Sequence, residues 1–315
     1  PIALLIWNRD WENWRQVMSV SPVEQDVERV TRLRPGHADL AGAVKYGLDD
    51  VRPILERASA RETASRVAAG AVARKLIAEF GIQVRSHTVR IGGFGVGGAG
   101  IVDWTRVESS PVRCADEEVG KAMMGAIDEA REAGDSLGGV IEVVASGVPI
   151  GLGSHVHWDR KLDGRIAQAM MSVNAVKGVE IGAGFAAADL PGSQVHDVVR
   201  AVGGGEWQHA SNRAGGIEGG ISNGEPIVVR ASVKPIPTLT KPLPSADLGT
   251  GEAVEAHVER SDVCVVPAAG VIGEAVLACV LAEALLEKFG GDHITESLSN
   301  YRSYLESTGP RREND

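Results

Sequence analysis

From residue 62 to residue 80 apolar side chains recur at helical spacing: Ala64, Val67, Ala68, Ala71, Val72 and Leu76 trace one stripe, and Gly81 supplies a stop. That pattern predicts a helix, and the strand-like run 82–91 follows it. A second helix is predicted over 117–133, ended by Gly134, with a buried strand at 138–145. The third, at 163–177, carries Met170, Met171, Val173 and Val176 inward and is stopped by Gly178. A strand at 227–233, a short apolar strand at 263–267 and a helix over 271–289 complete the series. At the start, Trp7, Trp11 and Trp14 fall at i, i+4 and i+7, a helical face expected to pack on its neighbours, while residues 1–6 read as a strand. Strands alternating with helices and entered by glycine turns predict a mixed α+β fold.

Composition narrows the class. With 315 residues the chain can bury an ample core as a single large domain. Aromatics are only 4% and glycines number 39, so the core is expected to be aliphatic and the turns tight. A net charge of -10 argues against a general nucleic-acid surface, which needs a basic face, so any anion site must be local. Cys114, Cys264 and Cys279 lack the spacing of a disulfide or zinc framework, which fits a reduced, cytoplasmic protein. The longest apolar stretch, 263–289, is interrupted by Pro267, Gly270, Glu274, Glu283 and Glu287 and reads as buried rather than membrane-spanning. No signal peptide is visible.

Candidate chemistry concentrates between residues 34 and 63. Arg34-Pro-Gly-His37-Ala-Asp39 sets a titratable imidazole on a stiff turn, and Arg57-Ala58-Ser59-Ala-Arg61-Glu62-Thr63 offers two guanidinium forks and hydroxyls at a helix start. These parts suit a phosphorylated ligand, although a turn histidine, a capping signal and a solvated helix face account for the same residues. Residues 95–100 match G-x-G-x-x-G, but 101–111 show no helical period, so a flexible glycine loop is expected rather than a dinucleotide fingerprint. His155, His157 and Asp159 alternate as metal ligands do, yet no remote further ligand stands out. The glycine-dense stretch 212–224 lets backbone amides approach a ligand, and two prolines hold Lys234-Pro235-Ile236-Pro237-Thr238 extended. Arg260 and Asp262 stand at the mouth of the apolar segment, where a structural ion pair is the alternative reading.

Six segments together resemble the chorismate synthase family: R-P-G-H-A-D at 34–39, R-A-S-A-R-E-T at 57–63, V-N-A-V-K-G-V-E-I-G at 173–182, N-R-A-G-G-I-E-G-G-I-S-N-G at 212–224, K-P-I-P-T at 234–238 and R-S-D-V-C-V-V-P at 260–267. They span nearly all of the chain in family order. The resemblance implies one chorismate synthase domain over 1–315, a sandwich of antiparallel sheets and helices, and assembly as a homotetramer. It also implies a lyase of aromatic amino acid biosynthesis that eliminates phosphate from 5-enolpyruvylshikimate 3-phosphate using reduced FMN, with NADPH as a possible reductant. In the family, residues matching Arg57, Ala58, Ser59, Asn174, Ala175, Gly219, Lys234, Pro235, Ile236, Pro237, Thr238 and Arg260 contact the flavin. The match to His37 donates a proton beside it, and the match to Asp262 lies near its reactive edge. Arg34 and Arg61 are the candidates for the substrate, and no metal is implied.

Two departures from the family accompany this. Its members begin with a segment that carries a second active-site histidine in a Gly-Glu-Ser-His-Gly context, and this sequence contains nothing like it. The expectation is of a chain that opens inside a larger protein, with a non-catalytic flavin- or phosphometabolite-binding module as the alternative. In addition, Ala58 stands where many members have serine, which replaces a hydroxyl contact with a methyl.

Overall fold

Alternating burial along the strands builds one antiparallel sheet with a face turned inward. A computed structural model of the chain describes residues 1–21, 27–97, 102–202, 206–259 and 261–309. Its main strands are β1 (Gln83–Ile91), β2 (Phe94–Gly95), β3 (Gly139–Ser146), β4 (Val176–Ile181) and β5 (Ile227–Val233), in the order β2-β1-β3-β5-β4. All neighbours are antiparallel. Ile227, Val229, Ala231 and Val233 of β5 point inward with Ile141, Val143 and Ala145 of β3, the period of two that a half-buried strand requires. The opposite face carries Glu142, Glu180 and Arg230, with His87 bonded to Glu142 at 3.0 Å.

Helices cover the buried face. They are α1 (Asp39–Tyr46), α2 (Arg52–Arg57), α3 (Glu62–Ala78), α4 (Glu117–Glu132), α5 (Leu162–Met171), α6 (Val266–Phe289) and α7 (Ile294–Glu306). Helix α6 lies at the centre, between the sheet and α3, and is apolar nearly all round. By length and composition it is apolar enough to cross a membrane, but most of it is buried inside this fold. Small residues let it close on its neighbours. A Cβ added at Gly273 would lie 2.9 Å from Val143, and one at Gly70 of α3 would lie 2.5 Å from the Ala275 Cα. Glu274, buried in the same helix, is held by Ser86 (2.7 Å), Arg74 (2.7 Å) and Arg113 (3.1 Å), so its charge is paired and hydrogen-bonded. A smaller cluster of Leu33, Ala43, Val51 and Leu55 seats α1 and α2.

The structure corrects several sequence expectations. The helix expected to run to Lys177 ends at Met171, and Val176 and Gly178 belong to β4, where Gly178 faces Ser232. A turn over 172–175 intervenes, and its buried Val173 had merely continued the helical spacing. No strand forms at 263–267: Cys264 makes a single bridge to Leu137, and α6 begins at Val266 with Pro267 in its first turn, where no N–H partner is needed. Residues 1–6 form no strand, and the tryptophan helix shrinks to Trp11–Trp14. Trp7 and Trp11 are exposed rather than packed. A short helix, Trp104–Ser109, capped by Asp103, occupies the segment read as aperiodic, while residues 98–101 of the glycine loop lie outside the described residues. The hairpin of β1 and β2 that precedes it is antiparallel, unlike a dinucleotide-binding unit. His155, His157 and Asp159 are exposed around the turn Trp158–Arg160.

Candidate active site

The Pro-Gly turn carries His37 against α1. Gly36 takes a left-handed φ of 80°, and the His37 N–H donates to the Arg34 carbonyl at 3.2 Å. Asp39, the first residue of α1, is fully buried and draws the turn together. It accepts from the Arg34 backbone N–H (3.0 Å) and from Arg34 Nε (3.1 Å), and its Oδ1 is in contact with His37 Nδ1. Burial works to raise the Asp39 pKa, but the hydrogen bonds and charges of His37 and Arg34 outweigh it and hold the carboxyl below its ordinary value. Arg34, itself buried, also donates to Thr238 Oγ1 at 3.1 Å and to Glu259 at 3.3 Å. Lys234 Nζ donates to the Gly36 carbonyl, so the proline-bordered loop is fastened to the histidine turn.

Beside this turn opens a cavity of about 510 Å³, within the range of small-molecule sites. Five stretches of chain wall it: Arg34, Gly36, His37 and Ala38; Leu55, Ala58, Ser59, Ala60 and Thr63; Asn174 and Ala175; Lys234, Ile236, Pro237 and Thr238; and Glu259 to Ile272 in part, including Ser261 and Asp262. Asn174 Nδ2 donates to the Ala58 carbonyl at 2.9 Å, and the Lys234 N–H to the Ala175 carbonyl at 2.9 Å, tying three walls to one another. Ala175 holds a φ of 68°, a conformation that costs an alanine about 1–2 kcal/mol and that the surrounding bonds enforce. The first turns of α3 and α6 both border the cavity, and their positive dipole ends favour an anion there.

Not every residue singled out from sequence reaches this cavity. Arg57 is exposed at the end of α2, and Arg61, in the turn before α3, pairs instead with Glu56 at 2.8 Å. Pro235 belongs to the loop but not to the wall. Gly219 sits in the tight turn between Ile217–Glu218 and Ile221–Ser222, beside a separate depression with His196, Asp197 and Arg213. Arg260 lies outside the described residues. Sequence reasoning gave no role to Asp39 or Glu259, the two carboxylates that grip Arg34. The only signal for Asp39 is an acidic residue two positions after the histidine at a helix start. A second groove, of about 540 Å³, runs between Trp104–Ser109 and α4 and holds none of the candidate residues.

With this geometry in place, comparison with known proteins identifies the family. The family model described as chorismate synthase matches residues 1–286. The chain is 59% identical over 312 residues to the chorismate synthase of Moorella thermoacetica, covering 97% of this chain and 81% of that protein. It is 51% identical over 319 residues to that of Streptomyces coelicolor, at 98% and 80% coverage. A crystal structure of chorismate synthase superposes with a TM-score of 0.75 at 47% identity, covering 86% of this chain and 76% of the other. The motifs gathered at the His37 cavity and these relationships agree: the chain belongs to the chorismate synthase family.

Proposed function

We propose that the His37 cavity is where this chain makes chorismate, by trans-1,4-elimination of phosphate from 5-enolpyruvylshikimate 3-phosphate with reduced FMN and no net redox change. The observation that carries the assignment of the site is the meeting, around one cavity, of His37, Asp262, Asn174–Ala175 and the loop 234–238, which lie up to 225 positions apart in sequence only to converge in space.

The wall chemistry fits a flavin mononucleotide. Ile236, Pro237, Leu55, Val265 and Ile272 give apolar surface for a flat ring, while Ser59, Asn174, Thr238 and Lys234 give polar groups for its edges and tail. Ala58, Ser59, Asn174, Ala175 and residues 234–238 would hold the group, with Arg57, Gly219 and Arg260 assigned to it by family resemblance. When bound and reduced, it supplies electron density transiently for breaking the C–O bond and takes it back. The protein does the rest. His37 places an imidazole, the side chain best suited to carry a proton, at the cavity wall. Asp262 presents a carboxylate on the same wall. Lys234 at the wall and the dipole ends of α3 and α6 set a positive field for the phosphate and carboxylates of the substrate, to which Arg34 and Arg61 are assigned by family resemblance. The similarity to relatives named chorismate synthase, 51–59% identical over most of the chain, supports catalysis over simple retention of a phosphometabolite.

The test is anaerobic phosphate release from 5-enolpyruvylshikimate 3-phosphate with chemically reduced FMN. Release is expected, and its absence from the protein carrying the family's full length overturns the assignment. His37→Ala is expected to cut turnover by roughly 10²-fold or more with the fold intact, whereas full activity removes His37 from the reaction. Replacing the chemical reductant with NADPH asks whether the protein reduces its own flavin. We also assign it a cytoplasmic, homotetrameric state, for which light scattering is the check.

A further inference from the structure

Asp39 is engaged at every face yet does not itself line the cavity. Its Oδ2 accepts from the Arg34 backbone N–H (3.0 Å) and from Arg34 Nε (3.1 Å), and its Oδ1 meets His37 Nδ1 and, at 3.4 Å, Arg34 NH2. No part of the side chain is exposed. A fully buried carboxylate sustains its charge only where donors surround it, and each of these contacts is a donor. The short Nδ1 to Oδ1 contact then fixes the location of one proton. Were Nδ1 bare, its lone pair would face a carboxylate lone pair; with the proton on Nδ1, the contact is a charge-assisted hydrogen bond.

We infer that Asp39 is a positioning residue of the proposed reaction: it fixes His37 as the Nδ1–H tautomer, so that Nε2 is the nitrogen that exchanges a proton, and it locks Arg34 beside the ring. This inference rests on the reading of the cavity as a chorismate synthase site. The arrangement follows the logic by which a buried acid orients a catalytic imidazole on many folds. Arg34 NH2 lies 3.0 Å from Nδ1 and 3.4 Å from Nε2, nearly equidistant and so over the ring face rather than in line with either lone pair, which leaves Asp39 as the in-plane partner of Nδ1. The other charged groups near His37 are distributed on both sides. Lys234 approaches from the loop after β5, and Glu259 and Asp262 from the segment before α6; Glu259 is shared between Arg34 and His257 (3.3 Å each). Asp39 is therefore the carboxylate in direct contact with the ring, and the one whose loss the others do not replace.

The test reads the imidazole directly. Two-bond ¹H–¹⁵N correlation spectra of histidine-labelled protein, with His37 assigned from the signal missing in His37→Gln, report which ring nitrogen carries the proton. The wild-type protein is expected to show the Nδ1–H form when neutral. In Asp39→Asn the tautomers mix. The Michaelis constant for reduced flavin stays as it was while kcat falls. A neutral wild-type His37 protonated on Nε2 overturns the inference, and that reading is available even if the variant does not fold. So does a folded Asp39→Asn variant whose tautomer and kcat are unchanged. The spectra need no substrate, so a wild-type protein that releases no phosphate counts against chorismate synthesis and leaves the result on Asp39 to stand by itself.

Discussion

Helices α3 and α6 cross at Gly70 and Ala275, and the consequence of adding one methyl there follows from the distances. A Cβ on residue 70 falls on the Ala275 Cβ, 2.5 Å from its Cα and 2.9 Å from its carbonyl oxygen. These are main-chain atoms of a buried helix, so no rotamer change relieves the contact, and α3 must move away by roughly 1 Å to restore van der Waals distance. Intrinsic propensity pulls the other way, since alanine is favoured over glycine within a helix by about 1 kcal/mol. Overpacking of a rigid contact costs about 3 kcal/mol, the upper end of its usual range, because backbone rather than side chain has to shift. The net expectation for Gly70→Ala is a loss of about 2 kcal/mol, seen as a fall of several degrees in Tm. Thermal unfolding followed by far-ultraviolet circular dichroism measures it, with flavin affinity as a companion reading because both helices begin at the cavity. A variant as stable as the wild type, or more so, refutes the close crossing.

Two further outcomes follow from single hydrogen-bond sets. Asp197 is buried and accepts from the N–H groups of Ala214 (2.8 Å) and Arg213 (3.0 Å) and from Ser211 (2.5 Å). Burial works to raise its pKa, but these bonds outweigh it and hold the value below the ordinary 3.8. A depressed carboxylate pKa contributes stability that is complete above the unfolded value and lost as pH falls through the folded one. Asp197→Asn should cost about 1–3 kcal/mol at neutral pH, and the Tm gap to the wild type should narrow below pH 3.8; a gap that does not change with pH defeats the argument. Asn174→Ala removes the bond to Ala58, which should leave the Tm nearly unaltered while the Kd for flavin rises roughly tenfold. Fluorescence titration giving the wild-type Kd would take Asn174 out of the cofactor site.

How much of this was readable from sequence depends on how strictly local pattern determines position. Helices α3 and α4 and strands β3 and β5 carried their periods openly and formed near the expected bounds. The region from Met171 to Gly178 did not, because a buried turn can carry apolar residues at helical spacing by coincidence; only the left-handed Ala175 reveals the break. Residues 263–267 misled for a related reason, since β-branched residues before a proline read as a strand, whereas burial between sheet and α3 makes the last two of them helical. At the site, motif resemblance named His37, Ser59, Asn174 and the 234–238 loop, which the fold brings together. It did not reveal that Arg34 is gripped by Asp39 and Glu259, because pairing across 225 positions is a property of packing, not of composition. Nor did it show that Arg61 would be taken by Glu56.

The cavity has no wall built from a single contiguous unit: residues near 36, 58, 174, 236 and 262 enclose it. Closing it therefore requires chain segments far apart in sequence to meet, and that is the slow, entropically expensive part of folding. A partly folded chain with α3, α4 and the paired strands β1 and β3 in place would have nowhere to hold a ligand. Binding energy at this site accordingly stabilises only the completed fold and adds nothing to earlier intermediates, so ligand should slow unfolding while leaving the early steps of folding untouched.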